Sequence, residues 1–456
     1  MQTSPHKRAT KMLTHGQRRF FGLLMGLILL LVLAGAASIP FFFESSSILY
    51  KFSFDRILLR TGQVIGLVAG CLVLIQVVLA ARIRSLDRIF GLDRLFTYHR
   101  LSGTIIAVLV ILHPLAIFIS DDRFFIRIQW RYWPEFVGLF LMALIVIMVV
   151  ISHWRVKLRL AFHRWWPLHR SVAILAIVAL GIHALSVSDI FDQQLPWILV
   201  IVALILCGLV FLWIRTRSLR SRRRPLRVSA VEPAGADAVG LEVVADGARL
   251  PAYQPGQFGF ITVSSNRVSG EEHPFTIASS PLEPDALEFV IRTTGDWTAQ
   301  FKDLQPGGRV CFDGPYGLFS HLRISKTDEM IMIAGGIGIT PLLSMLRYMA
   351  GCKDQRKISL IWSNKNPDHI ILPKAFEDLA AQLKGLHVVH VMTRAPEYSG
   401  EKGRLDRPKL KRLLSDCSRS AAVFVCGPDQ MTKDIHASLL SLGFQQKMIF
   451  IERFSL

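Results

Sequence analysis

Residues 98–119 read YHRLSGTIIAVLVILHPLAIFI, and residues 167–185 read PLHRSVAILAIVALGIHAL. Both are apolar runs of about the length a helix needs to cross a bilayer, and both carry a histidine near either end. The spacing is the same in each: His99 to His113 and His169 to His183 are fourteen residues apart. Fourteen residues make about four helical turns, so the members of a pair share a face, about 21 Å apart along the axis. Ionisable side chains are costly in hydrocarbon and imply a function unless they are paired off. One such histidine reads as a helix–helix hydrogen bonder. Two equal pairs on helices that run in the same direction set His99 opposite His169 at one depth and His113 opposite His183 at the other. Each b-type haem needs an imidazole from above and one from below its iron, so the four histidines read as axial ligands of two haems.

Four further runs of spanning length lie around these two, at about 20–43, 57–81, 134–153 and 195–213. The chain of 456 residues is 51% hydrophobic, and the apolar excess stops near Trp213. A membrane half is therefore followed by a soluble half. The first run is longer than a signal-peptide core and reads as a retained helix, although Ala34–Ala37 resemble a cleavage site. Basic residues decide the orientation. Twenty Lys and Arg fall in the N-terminal tail, the loops after the second and fourth spans and the tail of the sixth, against five in the remaining loops. The N-terminus and the soluble half are thus expected in the cytoplasm. The same clustering at span ends accounts for the net charge of +19 without a nucleic-acid partner. Arg60, one turn into the second span, reads equally as a contact for a haem propionate or outer acceptor and as a residue snorkelling to the headgroups. His153 and His163 have no partner at matching spacing. No two of the six cysteines stand as C-x-x-C, which argues against a zinc ribbon, a ferredoxin-type cluster and covalent haem attachment.

From about Arg224 to Ser325, short alternating strands are broken by Gly and Pro turns, the pattern of a small β-barrel. It contains His273-Pro274-Phe275-Thr276-Ile277-Ala278-Ser279-Ser280, then Arg292, Gly295-Asp296-Trp297-Thr298 and Gly314-Pro315-Tyr316-Gly317. Arg292 suits a pyrophosphate, and small hydroxyl residues suit close approach to a flavin ring. After Asp328 the pattern becomes β–α alternation. Strand Met330–Ala334 runs into Gly335-Gly336-Ile337-Gly338-Ile339-Thr340-Pro341, with Thr340 expected to cap the following helix and Pro341 to open it. The glycines would let a dinucleotide approach the backbone at the positive helix end. Three more strands end in Ser363-Asn364-Lys365, in Thr393-Arg394 and in Cys426-Gly427-Pro428. Strand C-termini are where doubly wound sheets bind ligands.

These features together resemble the ferric reductase and NADPH oxidase superfamily, with a C-terminal module similar to ferredoxin–NADP reductase. The resemblance runs from about residue 57 to the end and rests on the paired histidines, H-P-F-T-I-A-S-S, G-D-W-T, G-P-Y-G, G-G-I-G-I-T-P, C-G-P and the terminal E-R-F. It implies that His273, Pro274, Phe275 and Thr276 lie along an FAD, with Thr276 near the ring and Ser279 in the same stretch. It implies further that Arg292, Trp297 and Thr298 hold the FAD phosphates. Gly335, Gly336, Gly338, Thr340, Pro341, Cys426, Gly427 and Pro428 would bind the nicotinamide nucleotide, and Phe454 would shield the flavin until nicotinamide displaces it. Lys365 and Arg394 could meet a 2′-phosphate, which favours NADPH over NADH. No EF-hand segment is present, so calcium control is not expected.

The expected architecture is a cytoplasmic tail (1–19), a six-helix all-α membrane bundle (20–216), an FAD-binding β-barrel (222–325) and an α/β doubly wound NAD(P)-binding domain (326–456). The expected activity is electron transfer from NAD(P)H through FAD and two b-type haems to an acceptor across the bilayer, either a Fe(III) chelate or O2. Two other readings stay open: an electron-donating subunit for an extracytoplasmic redox partner, and a transporter with a dinucleotide-sensing domain.

Overall fold

The computed structural model describes residues 13–44, 53–120, 129–187, 190, 193–223, 226–245, 250–265, 268–283, 285–324 and 327–453. The chain divides into two compact units, residues 15–217 and a second that holds residues 218–456.

The first unit is helical: α1 (His15–Phe42), α2 (Ser53–Ala80), α3 (Arg84–Phe90), α4 (Leu92–Ser120), α5 (Trp133–Trp154), α6 (Phe162–Val187) and α7 (Gln194–Arg223). Six of the seven are long and apolar enough to cross a membrane. The helices outrun the apolar stretches that announce them. The third span was expected from Tyr98, but α4 starts at Leu92, which puts His99 two turns inside the helix. Apolar runs mark the hydrocarbon core, whereas a helix continues into the interface because its backbone bonds are still better made than broken. The extra helix α3 occupies the arginine-rich loop after the second span and ends at Gly91, whose φ of 88° suits glycine. Arg18 of α1 donates to the Ile89 carbonyl at 2.9 Å, and Arg217 of α7 donates to the Arg82 carbonyl at 2.8 Å. The loop is therefore tied to the first and last spans. The inside of the bundle is built from Ile106, Leu141, Ile145, Ala176 and Ala179, while Leu101, Val108 and Leu115 of α4 stay exposed, as a lipid-facing side requires.

The second unit holds two sheets. The strands β1 (Leu226–Gly235), β2 (Ala238–Ala245), β3 (Phe258–Ser264), β4 (Glu272–Thr276), β5 (Ala286–Arg292) and β6 (Arg309–Tyr316) form an antiparallel sheet in the order β4-β3-β6-β1-β2-β5. Its two edges meet just past β4, where Ile277 bridges Phe289 and the Ala278 amide donates to the Glu288 carbonyl at 2.7 Å, closing a barrel. Alternate residues fill it: Leu241, Val243, Ile261, Val263, Leu287, Phe289 and Ile291 are buried.

Next come β7 (Glu329–Gly335), α8 (Ile339–Gly351), β8 (Lys357–Asn364), α9 (Pro373–Gln382), β9 (Leu386–Met392), β10 (Glu401–Lys402), α10 (Arg407–Leu413), β11 (Ala422–Gly427), α11 (Asp429–Ser441) and β12 (Ile449–Arg453). The parallel sheet runs β10-β9-β8-β7-β11-β12. Met330 and Met332 of β7 enter the core on one face and Ile331 and Ile333 that on the other, which is why the strand reads as an unbroken apolar run. The order reverses between β7 and β11. Their C-terminal ends flank the switch point of a doubly wound sheet, where such folds open a crevice for a ligand.

Candidate functional site

In the helical unit, α4 and α6 bring the four histidines together in two pairs. The His99 and His169 ring centres lie 6.2 Å apart, and those of His113 and His183 lie 6.4 Å apart. Two imidazole nitrogens bonded at about 2.0–2.1 Å to opposite sides of one ion, each about 1.1 Å from its ring centre, separate the centres by about 6.3 Å. Each pair thus has the opening that one shared iron requires. The His113 Nδ1–H donates to the Gly62 carbonyl at 2.7 Å, and the His183 Nδ1–H donates to the Pro134 carbonyl at 3.0 Å. His169 Nδ1 faces the Ser152 hydroxyl at 3.3 Å. Tying Nδ1 leaves Nε2 as the lone-pair nitrogen, the usual state of a metal-bound histidine. Among the described residues no group of three or more His, Cys, Asp or Glu could hold a metal ion. Two imidazoles alone suit an ion that brings four nitrogens of its own, as haem iron does.

Room for these rings comes from glycines that sequence reasoning passed over. Gly62, Gly66 and Gly70 recur every fourth residue on α2 and let other helices approach closely. A Cβ on Gly66 would lie 2.8 Å from His113 ring atoms, and one on Gly138 would lie 2.5 Å from Cε1 of His183. The G-x-x-x-G-x-x-x-G spacing was the available signal. Aromatic residues flank the other pair: the Trp165 ring centre lies 4.8 Å from that of His169, and Trp166 stacks on the same imidazole at 6.4 Å. Arg60 ion-pairs with Glu44 and lies over the Phe41 ring at 5.3 Å.

In the second unit, Pro274, Phe275 and Thr276 lie on β4, with Thr276 buried at its end. His273 stacks on Trp297 with ring centres 4.4 Å apart and faces Glu271 at 3.1 Å. Trp297 is buried, and its indole N–H donates to the Ser269 carbonyl at 2.6 Å, so its side chain holds the turn of residues 295–298 in place. Thr298 closes that turn by accepting from the Gly295 amide at 3.0 Å. Ser279 is buried, and its hydroxyl is engaged by Tyr253 Oη at 3.0 Å and by the Glu288 amide at 3.0 Å. The Ser279 carbonyl accepts from Ser344 of α8 at 2.7 Å. Ser279 therefore belongs to the seam between barrel and sheet. Arg347 of α8 strengthens that seam by donating to the Ala278 carbonyl at 3.0 Å and to Glu288 at 2.5 Å.

Arg292, at the end of β5, ion-pairs with Asp237 at 3.0 Å. Its guanidinium lies where a Cβ on Gly336 would come within 2.9 Å, so the barrel arginine touches the glycine loop. Gly336 has φ of 54°, which glycine adopts freely. The other loop glycines serve one another. A Cβ on Gly338 would overlap the Cys426 carbonyl, and one on Gly427 would lie 3.2 Å from the Gly335 backbone. Gly335 and Gly338 thus fit against the Cys426-Gly427-Pro428 turn across the switch point. Trp362, fully buried in β8, donates to the Gly336 carbonyl at 3.0 Å and fixes the loop from below.

Thr340 departs from its expected role as helix cap. A single 3-10 turn over Gly336–Gly338 starts the helix early, so α8 begins at Ile339 and Thr340 sits in its first turn, donating to the Ile337 carbonyl at 3.0 Å. Pro341 follows in the same turn, where its missing N–H leaves no bond unmade. Cys426 is fully buried, and burial pushes its thiol well above the ordinary range. Lys365 and Arg394 lie exposed at the ends of the adjacent strands β8 and β9, joined by a 2.7 Å bond from the Arg394 amide to the Lys365 carbonyl. Phe454 lies outside the described residues.

Three family models match the chain in this order: a ferric reductase like transmembrane component over residues 65–180, an FAD-binding domain over 230–320 and an oxidoreductase NAD-binding domain over 332–437. Together, in this order, the three matches support a flavocytochrome of the ferric reductase and NADPH oxidase type. Relatives of the chain include NADH-cytochrome b5 reductase 2 of Lodderomyces elongisporus, 27% identical over 42% of this chain and 69% of that protein. Another is cytochrome b5 reductase 4 of Rattus norvegicus, 29% identical over 42% of this chain and 40% of that protein. Among solved structures, flavohemoglobin from Malassezia yamatoensis aligns with a TM-score of 0.48 at 18% identity, covering 72% of this chain and 88% of that one. A ferredoxin NADP+ reductase from Neisseria gonorrhoeae aligns with a TM-score of 0.43 at 22% identity, covering 50% and 98%. The FAD- and NAD-binding matches make this protein an NAD(P)H-dependent oxidoreductase, joined to a ferric reductase-like helical domain with six helices long and apolar enough to cross a membrane.

Proposed function

We propose that the protein carries electrons from cytoplasmic NAD(P)H, through FAD and two b-type haems, to an acceptor on the far side of the bilayer, as a ferric reductase or a superoxide-producing NADPH oxidase. The observation that carries this reading is the pair of histidine openings, 6.2 and 6.4 Å between ring centres, set at two depths of one helix pair. FAD converts the two-electron hydride into single electrons and haem carries single electrons, which is the chemistry the bound groups supply.

The chain's own residues bind and orient. His99 and His169 would hold the inner haem, and His113 and His183 the outer one. The Nδ1 hydrogen bonds of His113 and His183 leave Nε2 of each ring as the nitrogen that would meet the iron. Ile106, Leu141 and Ile145 would give the interior of the helical unit an apolar lining. In the second unit, Gly335, Gly336 and Gly338 would admit the dinucleotide phosphates to the start of α8, with Cys426, Gly427 and Pro428 forming the facing wall. Lys365 and Arg394 would receive a 2′-phosphate, which favours NADPH. His273, Pro274, Phe275 and Thr276 would line the flavin. Arg292, with the backbone of the turn closed by Trp297 and Thr298, would hold the FAD phosphates. Phe454 would cover the flavin ring. The domains would be 20–216, 222–325 and 326–456, with both termini cytoplasmic.

An NADPH-driven assay in membranes tests the reading by comparing ferric-chelate reduction with superoxide dismutase-sensitive reduction. Loss of both activities in His113→Leu, with flavin reduction retained, is the expected result. Full haem content in that variant overturns the ligand assignment.

A further inference from the structure

We propose that Ser344 and Arg347 of α8 are positioning residues for hydride transfer, holding the strand that lines the flavin in register with the glycine loop that starts the same helix. This rests on the reading above of residues 273–276 as the flavin's wall and of residues 335–341 as the dinucleotide's. The strand β4 ends at Thr276, and the three residues after it run into the seam between barrel and parallel sheet. The Ile277 amide donates to the Gln257 carbonyl at 3.0 Å, and the Ala278 amide to the Glu288 carbonyl at 2.7 Å. The carbonyls on that stretch turn to α8: that of Ala278 accepts from Arg347 at 3.0 Å and that of Ser279 from the Ser344 hydroxyl at 2.7 Å. Ser344 and Arg347 stand three residues apart, so they share a face of the helix.

Glu288 completes the set. Its two carboxylate oxygens take the Arg347 guanidinium at 2.5 and 3.5 Å, and its amide donates to the Ser279 hydroxyl at 3.0 Å. The rest of the helix cannot yield, because Ile339, Leu342, Leu343 and Leu346 are fully buried in the core they share with Met330 and Met332 of β7. Apolar packing is non-directional and by itself would let the strand slide along the helix. A partly buried ion pair adds little net stability, since desolvation offsets its attraction. What the polar set supplies is direction: two successive carbonyls bound by one helix face fix where the strand ends. The same helix carries the other site. Ser344 and Arg347 lie six and nine residues past Gly338, about 9 and 14 Å along the axis, so fewer than three turns separate the glycine loop from the clamp. In the transfer a hydrogen leaves the dihydronicotinamide ring with its bonding electron pair and bonds to the flavin, oxidising the first and reducing the second. The reacting atoms must stand about 3–3.5 Å apart, and a misplacement of about 1 Å costs about 100-fold in rate. A clamp that fixes the flavin's wall to the dinucleotide's own helix sets that separation.

The test is anaerobic stopped-flow reduction by NADPH of the full-length protein in nanodiscs, followed at the flavin absorbance and expressed per bound FAD. Arg347→Met should slow reduction at saturating NADPH by about 10- to 100-fold while the NADPH concentration for half-maximal rate moves less than about twofold. Ser344→Ala should act in the same direction to a smaller extent, and it carries the test if Arg347→Met does not retain FAD. Arg347→Lys, which keeps the charge and one donor, should recover part of the rate. Adding Glu288→Gln to Arg347→Met should slow reduction no further, because the carboxylate acts through the guanidinium. Independently of turnover, peptides covering residues 273–280 should exchange amide hydrogens faster in Arg347→Met than in the parent protein. An unchanged rate per bound flavin, with only a lower melting temperature, overturns the proposal by leaving the clamp a structural seam. NADPH affinity lost in step with the rate overturns it as well. Thr276→Val with the parent's flavin spectrum and reduction rate would instead refute the placement of β4 along the flavin.

Discussion

Replacing Gly66 by alanine should empty the site proposed for the outer haem, although alanine is the better helix residue. In a helix interior the exchange favours folding by about 0.5–1 kcal/mol. Against that stands one steric fact: the new Cβ would lie 2.8 Å from both Cε1 and Nδ1 of His113. Ordinary carbon contacts fall at about 3.5–4.0 Å, so the ring must retreat by about 0.7–1.2 Å. The retreat lengthens the 2.7 Å bond from Nδ1 to the Gly62 carbonyl beyond hydrogen-bond range. Losing such an outer contact costs a metal site about 10- to 100-fold in affinity, or about 1.4–2.7 kcal/mol. The assay is haem content by pyridine haemochrome, divided by FAD content in the same purified sample. The ratio should fall from about two toward one in Gly66→Ala. It should stay unchanged in Gly208→Ala, where a Cβ would meet nothing within 4 Å. Gly138→Ala, which crowds His183, should behave like Gly66→Ala. Full haem content in both crowding variants would refute the placement of these rings.

Three further outcomes follow from the second unit. Gly336→Ala forces a residue with a side chain into φ of 54° and against Arg292, so it should weaken both FAD retention and NADPH binding, by about tenfold for a conformational cost of about 1–2 kcal/mol, read by flavin fluorescence and steady-state kinetics. Exchanging Lys365 and Arg394 for glutamine together should raise the KM for NADPH at least about tenfold while leaving that for NADH nearly unchanged, through loss of about 1.5–3 kcal/mol per charge-assisted bond; equal effects on both would sink the 2′-phosphate assignment. His321 is buried, and burial lowers its pKa to about 3. Since the folded state resists a proton that the unfolded chain accepts near pH 6.5, stability should fall as pH drops from about 6.5 toward 3, by up to about 1.4 kcal/mol per pH unit. Acid unfolding of His321→Gln, followed by flavin release, should show a flatter slope over that window; an unchanged slope would place the acid sensitivity elsewhere.

Much of the site was legible because its signals are local. Identical fourteen-residue spacings on two spans fixed which histidines pair, and the structure brings those four together. The apolar strand before Gly335 and the cations ending β8 and β9 could likewise be read in order along the chain. Other features were invisible for a common reason: they depend on what a residue touches across the fold. Asp237 looks like any hairpin residue until Arg292 lies 3.0 Å from it. Ser279 looks like any small hydroxyl residue until Tyr253 and Glu288 engage its hydroxyl. Thr340 reads as a cap until the preceding 3-10 turn moves the helix start.

Sequence alone determined the helical half with its six apolar spans, the sheet-bearing half, the four histidines and the order of nucleotide motifs, because hydropathy and helical periodicity are properties of neighbouring residues. Tertiary structure alone decided which glycines make room for imidazoles and which interlock with the facing turn. It also decided that Nδ1 of His113 and of His183 is tied to a backbone carbonyl. Those are contacts between distant segments, and only packing sets their distances to the tenths of an ångström on which hydrogen bonding and ligand strength depend.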